Sequence, residues 1–147
     1  MNLDNLNWNI LKCLQQNARL TNAEIGRRVG MSSPAVSERI KKMEDLGVIE
    51  SYRTIVSPFN TGYQLKAIIT LRAFMGKLKP FLEKVKTFDE VINCYRITGD
   101  ENIVMEVILK NHIHLENFID QLIIYGESKT QIVLSQIIRQ KEIKPLN

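Results

Sequence analysis

Basic side chains are concentrated in one short part of this chain. Between Arg19 and Lys42 there are six bases and two acids, so that window carries a charge of +4. The whole chain of 147 residues also carries +4, so the remainder is balanced. The bases of the window are Arg19, Arg27, Arg28, Arg39, Lys41 and Lys42. A local surplus of positive charge suggests a polyanionic partner, although charge alone favours the alternative of a solvated helix face.

The residue types that could carry out catalysis or bind a metal are spaced unfavourably for either role. His112 and His114 lie two positions apart, which places them on different faces of a helix and makes them a poor metal pair. Cys13 and Cys94 have no histidine beside them, so each is more typical of a small core residue than of a nucleophile. No glycine-rich phosphate motif is present. The sequence predicts a protein that is not an enzyme and that needs no cofactor or metal.

The composition is typical of a folded protein in a reducing compartment. Hydrophobic residues make up 44% and charged residues 24% of the chain, which excludes wholesale disorder. No run of 18 apolar residues exists, so no membrane partner is predicted. The first residues do not form a secretory signal, and two distant cysteines do not make a disulfide scaffold. We therefore predict a cytoplasmic location.

Helix-capping patterns recur through the first 50 residues. Asp4 can cap a first helix. Thr21 and Glu24 have the spacing of a capping box for a second helix, which must stop near Gly30. A third, longer helix follows this glycine. A short helix, a tight turn with glycine and a longer helix together predict a helix-turn-helix.

The third helix has faces suited to reading DNA. Ser32 or Ser33 can cap it, and it ends at Gly47. Its inward stripe consists of Val36, Ile40 and Met43. Small residues in its first turn allow close approach to a groove, and bases farther along can meet phosphate. The candidate DNA-binding residues are Arg27, Arg28, Ser32, Ser33, Pro34, Ala35, Ser37, Glu38, Arg39, Lys41 and Lys42.

A change of composition after Gly47 marks a domain boundary. Residues 48–56 are rich in β-forming types, which predicts a wing strand that runs into a hinge. Residues 57–62 contain Ser, Pro, Asn and Gly, which break regular structure. We predict a winged helix-turn-helix domain over 1–56, a linker over 57–63, and a second domain over 64–147.

The second half of the chain alternates between strand and helix periodicity. The pattern predicts the order βαββαβ, the ferredoxin-like arrangement, and hence an α+β fold overall. The predicted strands are 65–73, 91–98, 103–109 and 130–138, the predicted helices are 78–88 and 112–124, and a turn is predicted over 125–129.

Parts of the predicted sheet are apolar on both faces. Residues 103–109 are almost continuously apolar, and residues 132–138 nearly so. Such strands are covered on both sides, yet both helices of this topology lie on one face. A second copy of the sheet is the predicted cover, which makes the chain a homodimer. The alternative cover is the chain's own tail, but residues 141–147 are short and polar.

These motifs, in this order, resemble the Lrp/AsnC family, the feast/famine transcriptional regulators of bacteria and archaea. In the first domain, residues 17–21, 23–32 and 36–44 carry the resemblance. In the second domain, residues 94–100 (CYRITGD) resemble the signature of the family's ligand-binding module, the RAM domain. The resemblance covers essentially the whole chain.

The resemblance implies dimers that commonly assemble into octamers. It also implies a free amino acid as effector, bound near the turn after the second strand of the RAM-type domain. The effector-binding residues it implies are Gly99, Asp100, Glu101, Asn102, Asp120 and Thr130. The family pattern resembles Gly-Asp-x-Asp, whereas Asn102 replaces the second carboxylate here. Because a charged hydrogen bond is stronger than a neutral one, we expect weak or altered amino-acid binding.

Two functions are consistent with the sequence. The first is a sequence-specific DNA-binding transcriptional regulator modulated by a small amino-acid-type effector, with double-stranded DNA and further copies of itself as partners. The second is an amino-acid-sensing oligomeric binding protein whose DNA contacts are weak or incidental. The basic window between Arg19 and Lys42 favours the first.

Overall fold

The computed structural model describes residues 3–146 and, within them, separates two compact units. The first unit runs through Thr54 and resumes at Ile138, and the second is Ile55–Ile137. The structure places this division after Thr54 and groups the tail with the first unit, whereas the sequence predicts domains over 1–56 and 64–147; those domain bounds stay a prediction. Residues 1, 2 and 147 of the predicted domains lie outside the described residues. The Gln15 side chain holds the tail, since its amide donates to the Ile143 carbonyl at 3.1 Å and accepts from the Ile143 N–H at 2.8 Å.

The first unit is helical and surrounds a small apolar core. Among its described residues the helices are α1 (Asn5–Gln16), α2 (Asn22–Val29) and α3 (Ser33–Asp45). The side chains with almost no exposed surface are Ile10, Ile25, Val36 and Met43. Each helix contributes to this core, and the shared burial stabilises helices that are too short to persist alone. The predicted inward position of Val36 and Met43 is confirmed.

Hydrogen bonds at the helix ends confirm the predicted caps. Asp4 caps α1, and Ser32 rather than Ser33 caps α3. At the start of α2, the Thr21 N–H donates to the Glu24 carboxylate at 2.7 Å, and the Glu24 N–H donates to Thr21 Oγ1 at 3.2 Å. The bonds from Thr21 lower the pKa of Glu24. Helix α2 ends at Gly30, whose φ of +72° is one that glycine adopts without strain.

The predicted wing strand is not formed. In the described chain, residues 50–56 adopt no helix or strand. The N–H groups of Val48 and Ile49 both donate to the Met43 carbonyl, at 2.8 and 3.2 Å, so the backbone folds against the end of α3. A strand exists only where a neighbouring strand pairs with its N–H and C=O groups. Within residues 3–146 no strand pairs with this segment, so the prediction of a strand over 48–56 is wrong for the single chain.

The second unit confirms the predicted βαββαβ order. Within the described residues its elements are β1 (Leu65–Ala73), α4 (Leu78–Lys84), β2 (Val91–Arg96), β3 (Ile103–Leu109), α5 (His112–Leu122) and β4 (Gly126–Ile132), with short 3-10 turns at Phe59–Thr61 and Val85–Thr87. The strands form an antiparallel sheet in the order β2-β3-β1-β4. Among residues 3–146, no helix is long and apolar enough to cross a membrane.

The last strand lies earlier in the chain than predicted. Strand β4 pairs with β1 from Gly126, opposite Ala73, to Ile132, opposite Ala67. The predicted turn over 125–129 and the strand over 130–138 are therefore wrong, and Thr130 lies inside β4 rather than at its start. Gly126 is needed there because a Cβ atom would collide with the Arg72 carbonyl oxygen. Strand β4 lies at the edge of the sheet, where polar residues are common. Its sequence is therefore as polar as that of a turn.

One face of the sheet is covered by the helices of its own unit. Phe81 of α4 and Phe118 of α5 are fully buried against Ile69, Leu71 and Met105. The opposite face, which we call the open face, carries the alternate residues of the same strands. It includes Ile68, Val104 and Tyr95, interrupted by Lys66, Asn93 and Glu106. The open face is therefore apolar only in part.

Candidate functional site

The turn between α2 and α3 brings two backbones into direct contact. Gly26 is buried, and its carbonyl accepts the Met31 N–H at 2.9 Å. A Cβ atom on Gly26 would collide with the carbonyl oxygen of Met31. Gly30 lies between them in the left-handed conformation. This close packing determines how α3 projects from the first unit.

The structure places the predicted DNA-binding residues on α3 and on the last turn of α2. The exposed ones are Arg27, Arg28, Ser32, Pro34, Ser37, Glu38, Lys41 and Lys42, whereas Ser33, Ala35 and Arg39 are partly buried. Pro34, Glu38 and Lys42 follow one another at intervals of four, so they share the face directed away from the core. That face is open to a binding partner.

Arg39 is held within the first unit. Its Nη1 donates to Asp4 Oδ2 at 2.7 Å and to Asn7 Oδ1 at 2.9 Å, and the side chain is only 30% exposed. The Asn7 N–H and the Arg39 guanidinium hold the pKa of Asp4 below its usual value. These bonds fasten α3 to the start of α1. Sequence reasoning missed them because the partners lie more than 30 positions away; a role for Arg39 at phosphate stays a prediction.

The charge of the interface is distributed differently from that of the sequence window. On the exposed face of α3, Lys41 and Lys42 are offset by Glu38 and Asp45. After this offset, the exposed positive charge of this surface comes from Arg27 and Arg28 in the last turn of α2. We therefore expect the end of α2 to be the more strongly cationic part of this surface.

The segment after α3 is tied back to that helix. The Tyr52 hydroxyl donates to Glu44 Oε1 at 2.8 Å. Burial and this bond to Glu44 raise the pKa of Tyr52 to about 12. Tyr52 also lines a groove of about 590 Å³ that runs beside Ser37 and Lys41. The bond restrains the start of the segment that leads towards the second unit.

The turn predicted to bind the effector joins β2 to β3. The Ile97 N–H donates to the Asn102 carbonyl at 2.9 Å, and Gly99 has a φ of +104°. The Asn102 side-chain oxygen accepts the Ala73 N–H at 3.3 Å. Asn102 therefore fastens the turn to the end of β1, and part of its hydrogen-bonding capacity is already used.

The turn forms one wall of a cleft of about 570 Å³. Its lining consists of Ile97, Thr98, Gly99, Asp100 and Glu101 from the turn, and of Arg72, Glu127, Ser128 and Lys129 from β1 and β4. Arg72 pairs with Glu127 at 2.5 Å, and Lys129 pairs with Glu101. Lys129, together with a hydrogen bond from Thr70, lowers the pKa of Glu101. Cations and carboxylates side by side suit a zwitterion, which carries both charges.

Three effector residues predicted from the sequence, Asn102, Asp120 and Thr130, are not among the residues that line this cleft. Asp120 is exposed on α5. Thr130 follows Lys129 in β4, so its side chain points to the other face of the sheet. The roles of Asp120 and Thr130 in effector binding stay predictions. Sequence reasoning missed Arg72, Glu127, Ser128 and Lys129, since only the pairing of β1 with β4 brings them beside the turn.

Within residues 3–146, no group of three or more His, Cys, Asp or Glu side chains is arranged to hold a metal ion. His114 instead faces Glu90, with Nε2 to Oε1 at 2.9 Å, and its Nδ1 accepts the Lys110 N–H at 3.2 Å.

Comparison with known proteins agrees with both halves of this description. Residues 3–50 match the winged helix-turn-helix DNA-binding family, and residues 66–143 match the Lrp/AsnC ligand binding domain, which covers more than half of the chain. The chain belongs to the Lrp/AsnC family of transcriptional regulators. The resemblance stated from the sequence, the α+β fold and the assignment as a DNA-binding regulator are confirmed.

Individual relatives of this regulator match over most of their length. The HTH-type transcriptional regulator Ptr1 of Methanocaldococcus jannaschii is 34% identical, with 82% of each chain covered. The structure of AsnC from E. coli is 30% identical and has a TM-score of 0.87, covering 99% of this chain and 100% of that one. A transcriptional regulator of Neisseria meningitidis, solved in complex with L-Met, is 27% identical with a TM-score of 0.91, covering 99% and 98% of the two chains.

Proposed function

We propose that this regulator reads duplex DNA with α3 and that a free amino acid bound in the cleft beside Gly99 modulates it. The observation that supports the DNA half is the exposed face of α3 containing Pro34, Glu38 and Lys42, held at a defined angle by the Gly26 contact. A helix of 13 residues is about 20 Å long and fits the major groove. Arg27 and Arg28 lie beside the start of α3 and are suited to phosphate.

Replacing Lys42 tests this interface. Lys42→Ala is expected to weaken binding to operator and random duplexes alike, because a phosphate contact carries no sequence information. The slope of log K against log salt should flatten by about one unit, as one fewer counterion is released. Ser37→Ala should instead alter the preference between sites more than the total affinity.

Filter binding at several salt concentrations measures both effects. Lys79→Ala, which removes the same charge from an exposed position on α4, serves as the control. Unchanged affinity for Lys42→Ala and Ser37→Ala at every salt concentration would show that α3 is not the reader. Equal affinity of the parent for all duplexes would favour the alternative, an amino-acid-sensing protein with incidental DNA contacts.

The charges of the cleft support an amino-acid effector. Arg72 and Lys129 have donors beyond those used in their ion pairs with Glu127 and Glu101, and these can bind a carboxylate. Asp100 and the remaining acceptor sites of Glu101 can accept hydrogen bonds from an ammonium group. Both ends of a zwitterion thus have partners in one cleft. The relative solved with L-Met is similar to this chain over nearly its whole length, which supports the proposal further.

Changes at the turn test the effector site. We expect Asp100→Ala to weaken amino-acid binding roughly tenfold, since a charge-assisted hydrogen bond contributes about 1.5–3 kcal/mol. Asn102→Asp should strengthen binding, because it keeps the acceptor for the Ala73 N–H and adds a charge that attracts the ammonium group. Calorimetric titration of the twenty amino acids measures both, with Asp89→Ala as the control. If the parent binds at micromolar Kd and neither change alters that affinity, the site lies elsewhere.

We also propose that the regulator is a homodimer joined through the open face of its sheet, and that dimers assemble further, as the family resemblance implies. Ile68, Val104 and Tyr95 form the apolar part of that face. An obligate interface of this kind buries on the order of 2,000 Å² or more. Paired copies of α3 would then meet half-sites one or more helical turns apart.

A further inference from the structure

We infer that Glu38 reads a cytosine in each half-site and so determines specificity for a C·G pair. This inference rests on the proposed reading of DNA by α3. Glu38 is exposed, with Pro34 one turn before it and Lys42 one turn after it. It therefore occupies the middle of the face directed away from Val36 and Met43.

The Glu38 carboxylate forms no contact within hydrogen-bonding distance to the lysines near it on α3, although Lys42 lies one turn away on the same face. Among residues 3–146, no hydrogen bond or ion pair involves its side chain. The adjacent Arg39 is bound to Asp4 and Asn7 instead. A carboxylate in the middle of a DNA-binding face is repelled by phosphate, and a base edge that donates a hydrogen bond to it offsets this repulsion.

Base edges in the major groove differ in what they offer such a carboxylate. Guanine presents only acceptors, and thymine presents an acceptor and a methyl group. Adenine presents its N6 donor beside the N7 acceptor, which repels the second carboxylate oxygen. Cytosine presents the N4 donor. Glu38 therefore favours cytosine over the other bases, whereas a glutamine at the same position would pair with both N6 and N7 of adenine.

Selection from a randomised duplex library tests this assignment with the full-length protein. We expect the parent to enrich cytosine at one position of each half-site. Glu38→Gln should enrich adenine at that position, with the preference for cytosine falling roughly tenfold. Glu38→Ala should lose the cytosine preference without gaining adenine. Glu116→Gln, which removes the same charge from the exposed surface of α5, should select the parent's motif.

Two results would overturn the inference alone. One is an unchanged motif with higher affinity for every duplex, which would show that Glu38 only repels phosphate. The other is that the Glu38 variants change the preference at none of the cytosine positions in the parent motif. A parent that enriches no motif would overturn the proposed sequence-specific reading itself, and the inference with it.

Discussion

Gly26→Ala is expected to destabilise the first unit strongly and to abolish DNA binding. The added methyl group would collide with the Met31 carbonyl oxygen, which belongs to the backbone and cannot turn aside as a side chain does. Overpacking of this kind costs about 1–3 kcal/mol, and a collision with backbone belongs at the upper end. For a small helical unit that is a large part of its stability.

Trp8 provides the measurement. It is the chain's single tryptophan, and it packs against the core of the first unit, so its fluorescence reports unfolding there. Gly30→Asn is the matched control in the same turn, because asparagine tolerates a positive φ and nothing in the described structure lies within 4 Å of the added Cβ. A parent-like melting temperature and normal DNA binding for Gly26→Ala would show that the contact is not required.

Val104→Glu is expected to convert the proposed dimer into folded monomers. Val104 lies on the open face opposite Thr70 and Tyr95, and Glu106 is two residues farther along β3 on the same face. A second subunit would bury the new carboxylate beside that existing one. An unpaired buried charge costs about 3–5 kcal/mol, equivalent to a loss of at least a hundredfold in dimer affinity.

Sedimentation at micromolar concentration distinguishes the two states. Val104→Thr, which has a similar shape and no charge, should remain dimeric, and so should Ile113→Lys on the exposed surface of α5. Circular dichroism confirms that each variant is folded. A parent that sediments as a folded monomer, or a Val104→Glu variant that stays dimeric, would contradict an interface on the open face.

Local interactions explain why so much of this fold follows from the sequence alone. A helix cap is a hydrogen bond between residues three positions apart, so Asp4 and Thr21 identify the starts of α1 and α2 without further context. For α3 the sequence allows Ser32 or Ser33, and the structure selects Ser32. Periodicity is equally local, and it predicts the bounds of β1 and β3 as the structure has them. The resemblance of residues 94–100 to a RAM signature locates the turn that we propose binds the effector for the same reason: the motif is continuous in the chain.

Features that depend on contacts between residues far apart in the chain could be found only in the tertiary structure. Arg39 looks like a free base in the sequence, yet it is bound to Asp4 at the start of α1. The polar start of β4 resembles a turn until pairing with β1 makes it a strand. That same pairing places Arg72 and Lys129 in the cleft beside Asp100. In each case the folded arrangement is stabilised by contacts between residues far apart in the chain. A local pattern of residue types does not indicate which of these residues are in contact.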